Sequence, residues 1–416
     1  MSSQVSESQK TGPLSGFRVL DMSRILAGPW SAQTLADLGA QVIKVERPKV
    51  GDDTRRWGPP YLKDKNGEET AEAAYYTAAN RGKDSITIDI TQTEGQAIIK
   101  QLAAKCDVLI ENYKVGGLKK YGLDYDALKE INPALVYCSI TGFGQDGPYA
   151  QRAGYDFMIQ GMGGLMSITG EKDGEPGAGP QKVGVAVTDL FTGLYATIAI
   201  QGALLERERS GLGQHIDLAL LDVQTAVLAN QASNYLVGGI VPQRMGNAHP
   251  NIVPYQAFAT QDGFIILAVG NDGQFEKLLQ LAGREALMQD ERFATNPARV
   301  QNRDIVCQEV ADIMVLQSSE YWLEELSVRG VPCGPINTIE QVFTNPQIQH
   351  RQMQIDVEHP LSGSIALCNS PIKYSRTAID IQKAPPLLGS DTDNVLSEML
   401  GMDTAQLNRL REKGCI

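Results

Sequence analysis

FRVLDMSRILAGPWSAQTLADLGAQVIKVERP, Phe17–Pro48, is the stretch whose reading decides the fold. Phe17–Asp21 has the length and apolar content of a short strand. Gly28-Pro29 opens a helical pattern that runs through Leu38; Pro29 suits the first turn and Gly39 the stop. Gln41–Glu46 then alternates apolar and polar residues, the mark of a second strand. The pattern repeats outward. Ser85–Ile90 reads as a strand, Thr93–Cys106 as an amphipathic helix, and Asp107–Ile110, Ala134–Ile140 and Gln214–Ala219 as further strands. Such alternation predicts an α/β fold: a mostly parallel sheet covered by helices.

In sheets of this kind the ligand crevice lies beyond the carboxyl ends of the strands. Ser23–Pro29, Glu46–Pro48 with Gly51–Arg55, Glu111–Tyr113 and Thr141–Gly144 occupy those positions. Arg24, Arg47 and Arg55 are expected to converge near one edge, where guanidinium forks suit phosphate. The plainer alternative is three solvated surface charges. Gly142–Gly147 spells G-x-G-x-x-G after a strand, yet Pro148-Tyr149 follows instead of a helix, so a dinucleotide fingerprint is not supported.

Further along, Val183–Val187 is a short apolar run that meets Thr188 and Asp189, two helix-capping types, before the periodic run Leu190–Leu205. A carboxylate there is expected to stay ionised, with an ordinary pKa of about 4. It would cap a helix, accept a proton, bind a cation or attack an acyl carbon.

The whole chain bounds these readings. Its 416 residues carry a net charge of −12 and a pI of about 5.0, which argues against a nucleic-acid surface. The six cysteines and four histidines are dispersed without metal-ligand spacing, so no metal is expected. Met1–Gly12 is polar and lacks a signal core, and no apolar run approaches the ~20 residues of a membrane span. A cytoplasmic protein without membrane partners is the expectation. The expected organisation is a large domain over 1–215, a linker helix over 216–240 and a small domain over 241–330. A return linker and C-terminal segment then fill 331–416. Leu220–Leu236 reads as one long apolar helix, and Asn247–Asn251, with His249, as a candidate lid.

These residues, taken together, resemble the class III coenzyme A transferases, the CaiB/BaiF superfamily of formyl-CoA transferase, carnitine CoA-transferase and methylacyl-CoA racemase. The marks run in order along nearly the whole chain. They are Leu14–Asp21, Ala27-Gly28-Pro29, Leu38–Pro48, Gly51–Arg55, Glu111–Tyr113, Gly142–Pro148, Thr188–Gly193, Val331–Asn337 and Pro385–Gly389. Asn247–His249 with Val253–Phe258 resembles the branch that acts on succinate with hydroxymethylglutarate or glutarate.

The resemblance implies a Rossmann-like large domain and a smaller α/β domain joined by long linkers in an interlocked homodimer. It implies a CoA-transferase that moves CoA from succinyl-CoA to a dicarboxylate such as glutarate. Asp189 would be the nucleophile, forming an anhydride and then an aspartyl-CoA thioester. Acyl-CoA is then a substrate, with no permanently bound cofactor. Ala27, Arg47, Asn112, Tyr113, Lys120, Gly142 and Phe143 fall where the family contacts CoA. Arg24, Arg81, Arg244 and His249 are candidates to hold a distal carboxylate, and Gly161–Gly164 to supply oxyanion donors. The racemases carry His at the position of Tyr155; a phenol with an ordinary pKa near 10 is a poor base at neutral pH, which argues against the racemase alternative. Oxalate as acceptor is disfavoured by the lack of a mid-chain glycine run.

Overall fold

The computed structural model describes residues 12–416; the polar start of the chain lies outside them. It divides into two compact units. The larger comprises residues up to Leu165, Val183–Ala232 and Gln347–Ile416, and holds a six-stranded sheet. Its strands are β1 (Arg18–Asp21), β2 (Gln41–Glu46), β3 (Lys83–Thr87), β4 (Val108–Glu111), β5 (Val136–Thr141) and β6 (His215–Ala219). All pair in parallel, in the order β3-β2-β1-β4-β5-β6. The order reverses between β1 and β4, the place where a doubly wound sheet opens a crevice.

Alternate residues of each strand feed opposite layers, because successive side chains on a strand point to opposite faces. Val19, Val42, Val108 and Val136 pack beneath α1 (Ala27–Asp37) and α4 (Val187–Ser210). Leu20, Ile43, Ile86 and Leu109 pack against α2 (Thr93–Ala103) and against Leu396 and Met399 of the C-terminal helix Thr392–Leu400. Burial on both faces accounts for the consecutive apolar residues Val19-Leu20 of β1 and Val108–Ile110 of β4.

Several expectations shift. The third strand begins at Lys83 rather than Ser85, because the Lys83 ammonium is buried against Asp21 and a charged residue did not read as strand. β6 belongs to the central sheet, so the sheet extends past the boundary expected at residue 215. The single helix expected over Leu220–Leu236 is two, α5 (Leu220–Ala226) and α6 (Ala229–Gly238), broken where Ala229 takes φ +47°. The 24-residue α4 has the length and mean hydropathy (1.2) of a membrane span, contrary to the reading of the sequence. One side of it is buried, including Thr188, Thr192 and Thr197, as in the core helix of a globular domain.

The second unit, Met166–Lys182 and Ser233–Pro346, is built on three antiparallel strands, Tyr255–Ala259, Phe264–Ala268 and Cys333–Pro335. Phe258, Leu267, Phe275, Val306 and Trp322 form its core. Arg299 is fully buried there, donating to the Val253 (2.8 Å) and Phe293 (2.9 Å) carbonyls and to Asp272 (2.7 Å).

Candidate active site

A cavity of about 680 Å³ opens at the strand ends of the larger unit. The β1–α1 turn supplies Arg24 to Ala27, and the segments after β2 and β4 supply Arg47, Asn112, Tyr113, Lys114 and Lys120. Gly142, Arg152 and Tyr155 follow β5, and Asp189 sits in the first turn of α4. The sheet thus brings most of the residues singled out from the sequence to one wall.

The β1–α1 turn is shaped by its neighbours. The Arg24 amide donates to Asn112 Oδ1 (2.9 Å), and Asn112 Nδ2 returns a bond to the Arg24 carbonyl (2.7 Å). The Ile25 amide donates to both Asp52 oxygens (3.2 Å each) while Ile25 holds φ +73°, a costly conformation for a β-branched residue. Among the described residues no side chain caps α1, and its first residue, Ala27, stands at the cavity edge, where a helix start favours an anionic group.

Beneath the wall lies a layer of buried charge. Lys44, fully buried, donates to Asp52 (2.9 Å) and to the Ser23 carbonyl (3.0 Å). Burial opposes its charge, but Asp52 and Asp21 outweigh burial and raise its pKa. Burial likewise works to raise Asp52, yet Lys44 and the Thr54 amide bring it down to about 2. Lys83 bonds Asp21 (2.9 Å), the Asn80 side chain (2.9 Å) and the Pro29 carbonyl (3.0 Å). For Lys83 burial wins and lowers the ammonium to about 8.

Not every predicted residue reaches the cavity. Arg55 turns inward, forking onto Glu46 (2.7 and 2.8 Å) and reaching Glu72 (2.8 Å) and the Tyr76 hydroxyl (2.6 Å). It is a structural ion-pair residue and does not join Arg24 and Arg47. Arg81 is likewise buried, forking onto Asp37 and donating to the Cys368 carbonyl (3.0 Å). Arg24 pairs with Asp53 (2.7 Å), whereas Arg47, Lys114, Lys120 and Arg152 make no salt bridge among the described residues.

Phe143 does not line the cavity; it lies edge-on to Tyr149 (5.6 Å between ring centres), with the Arg152 guanidinium over both rings. His249 and Arg244 belong to the second unit. His249 accepts the Asn251 amide at Nδ1 (3.1 Å) and lies 5.2 Å from the Tyr255 ring; Arg244 pairs with Asp173. The glycines at 161–164 are not donors to the cavity: Gly163 and Gly164 donate to the Ile159 (2.7 Å) and Gly161 (3.4 Å) carbonyls at the end of α3 (Asp156–Met162).

Gly142 and Gly154 explain the G-x-G-x-x-G spelling. A side chain on Gly142 would meet the Gly154 Cα at 2.6 Å, and one on Gly154 would meet the Gly142 Cα at 2.4 Å. Two backbone segments cross there in contact, so the first glycine serves chain packing.

Asp189 differs from expectation in two ways. It is the third residue of α4 rather than its cap, because Asp156 accepts the Thr188 amide (2.8 Å) and lets the helix begin at Val187. Its carboxyl is also pushed up to about 7, first by burial and then by the nearby Asp156 charge. No hydrogen bond or ion pair reaches its carboxylate among the described residues. The reading of the sequence passed over Asp156. The signal available was an acid directly after Tyr155 with Gln160 one helical turn on. Lys114 and Arg152, both on the wall, were missed for lack of any local pattern.

Comparison with known proteins gives concordant matches. The family model described as CoA-transferase family III matches residues 14–392. The succinate–glutarate CoA-transferase of Agrobacterium fabrum is 53% identical over 387 residues, covering 93% of this chain and 96% of that protein. The succinyl-CoA:glutarate CoA-transferase of Homo sapiens is 43% identical over 404 residues, covering 97% and 90%. The crystal structure of a CaiB/BaiF family protein from Brucella suis is 53% identical, with a TM-score of 0.81 over 94% of this chain and all (100%) of that one.

Proposed function

Because this chain belongs to CoA-transferase family III, we propose that it moves CoA from succinyl-CoA to a dicarboxylate such as glutarate by way of Asp189. The observation that carries the reading is the Asp189 carboxylate itself: it lines the cavity, is partly buried and has no bonding partner among the described residues.

Asp189 attacks the thioester carbonyl of succinyl-CoA; the C–S bond breaks, CoA leaves as thiolate, and a succinyl-aspartyl anhydride remains. The thiolate then attacks the aspartyl carbonyl, releasing succinate and leaving an aspartyl-CoA thioester. A glutarate carboxylate attacks that thioester, expelling the thiolate and forming a glutaryl-aspartyl anhydride. The thiolate finally takes the glutaryl group and frees Asp189. Each step exchanges one activated acyl group for another, so the sequence is close to balanced. CoA lies with its phosphates toward Arg47, Lys120 and the open start of α1, and its pantetheine along Asn112, Tyr113 and Gly142. The homologous glutarate enzymes support glutarate as the acceptor.

The working form is a homodimer. The outward face of α4 supports it, with Phe191, Leu194, Tyr195, Ile198 and Leu205 all exposed at helical spacing. Transfer of label from succinyl-CoA across a panel of acids tests the substrates, and hydroxylamine trapping tests the aspartyl adduct. Full transfer by Asp189→Ala overturns the reading. α-Proton exchange into acyl-CoA without any acceptor acid would instead mark a racemase.

A further inference from the structure

The Asp189 turn rests on a second carboxylate. Asp156 Oδ1 accepts the Thr188 (2.8 Å) and Asp189 (3.3 Å) amides, and Oδ2 accepts the Gln160 side-chain amide (2.7 Å). Gln160 is fully buried, and its own oxygen accepts the Val183 amide (2.9 Å), so its orientation is fixed from both ends. Thr188 Oγ1 donates to the buried Gln224 Oε1 (2.6 Å). Every bond at Asp156 is one that a carboxylate accepts, which is the pattern of the ionised form.

The neighbourhood of Asp189 is short of positive charge. From α3 it faces Asp156. From the helical turn Ala74–Thr77 it faces the Tyr75 phenol, which is raised by burial and then by Asp189, Asp156 and Asp52. From α5 comes the neutral Gln224, bonded to the neighbouring Thr188. Among the described residues no Lys or Arg pairs with it, and none contributes to its shift. A neutral serine would satisfy helix amides about as well as an aspartate. The hydrogen bonds therefore do not account for placing a like charge beside Asp189.

We propose that Asp156 is a positioning residue that pins the first turn of α4 and holds a negative charge against Asp189, making that carboxylate more reactive toward a thioester carbonyl. This rests on Asp189 being the nucleophile. The first turn of α4 offers some dipole stabilisation to an anion, and Asp156 absorbs that benefit by taking the two amides itself. The Asp189 carboxylate is left without those two bonds, in a buried place beside the Asp156 charge.

The test exchanges the pair. In D156N/Q160E, the new carboxamide at position 156 still accepts the helix amides through its oxygen. Its NH₂ donates to the new carboxylate at position 160, which also accepts the Val183 amide. The bonds are kept and the charge moves one side chain farther from Asp189. The Asp189 titration is read by ¹³C NMR of aspartate-labelled enzyme, with D189N assigning the signal, alongside the pH profile of kcat/KM. The expected result is a downward move of both midpoints by roughly one pH unit, with thermal unfolding retained. A folded exchange variant whose titration and profile coincide with the parent overturns the proposal, and D156N alone is read the same way if the exchange variant does not fold. Transfer retained by D189A would remove the nucleophile, while the carboxyl titration would still report whether Asp156 acts on Asp189.

Discussion

At the scale of single residues, the proposed chemistry depends on an acid held away from its ordinary ionisation. Burial, then Asp156, pushes the Asp189 carboxyl up to about 7. A folded-state pKa above the unfolded value of about 4 means that the bound proton favours the folded chain. That contribution is complete below the unfolded pKa and is lost as the pH rises through about 7. D189N removes the charge and keeps the shape, so at pH 8 it should be more stable than the parent by about 1–2 kcal/mol, discounted for partial exposure. The gap should close near pH 4; urea melts at the two pH values check this, and an equal gap at both would contradict it. In the proposed reaction Arg47, which lines the cavity, is exposed and has no salt bridge among the described residues, contributes mainly binding. Arg47→Ala should raise KM for acyl-CoA by about ten-fold with little change in kcat, read by steady-state kinetics.

Residue type made part of this site legible and hid the rest. Asp189 was visible because a capping residue met an apolar run, and Arg47 and Asn112 because they follow strand ends. Arg55 and Arg81 misled because a sequence shows a charge without its partner: Glu46 and Asp37 neutralise them in the interior. The raised pKa of Asp189 was out of reach, since it depends first on burial and then on a carboxylate 33 residues earlier, both of which only the fold supplies.

At the scale of elements, the crossing of α1 and α4 sets where the cavity wall stands. A side chain on Gly193 would meet the Ala27 carbonyl at 2.7 Å and Trp30 Cβ at 3.0 Å. Ser31 and Thr197 hydroxyls meet one turn further along (3.1 Å). Gly193→Ala should cost about 1–3 kcal/mol of stability through overpacking and, by pushing the start of α1, should also weaken CoA binding. Chemical melts and a CoA titration measure the two together; loss of stability with unchanged CoA affinity would show that α1 does not position the ligand. The strands carry a comparable constraint. Lys83→Met strands the Asp21 carboxylate, which burial works to raise and which Lys83 and Lys44 pull below its ordinary value. Breaking that fully buried pair should cost about 3–5 kcal/mol, visible as a large fall in the urea midpoint. The alternation of strand and helix was readable from period alone. The inward lysines were not: Lys83 fell outside the strand as read, and Lys44 stood at a polar position of the Gln41–Glu46 alternation although it is fully buried.

At the scale of the whole molecule, the exposed face of α4 and the net charge of −12 point in different directions. A chain of that charge repels its copies at long range, so the proposed dimer must be held by apolar contact. Ile198, 65% exposed in the middle of the stripe, is the natural probe. Ile198→Glu should yield a smaller species by analytical ultracentrifugation with intact secondary structure by circular dichroism, and should depress transfer activity. An unchanged sedimentation coefficient would count against α4 as the dimer face.

The touching backbones at Gly142 and Gly154 carry one more implication. They close the neck of the chain between them, and the excursion through Gln145–Tyr149 is held besides by the Gln145 amide on Asp217 (3.0 Å) and by Tyr149 against Phe143 and Arg152, which leaves Asp146–Pro148 as its tip. Trimming or recomposing that excursion should leave Tyr155 and Asp156 where they are, while adding a single methyl at either glycine should displace both. Tolerance to change along this stretch would then be uneven, generous at the tip and nil at the knot.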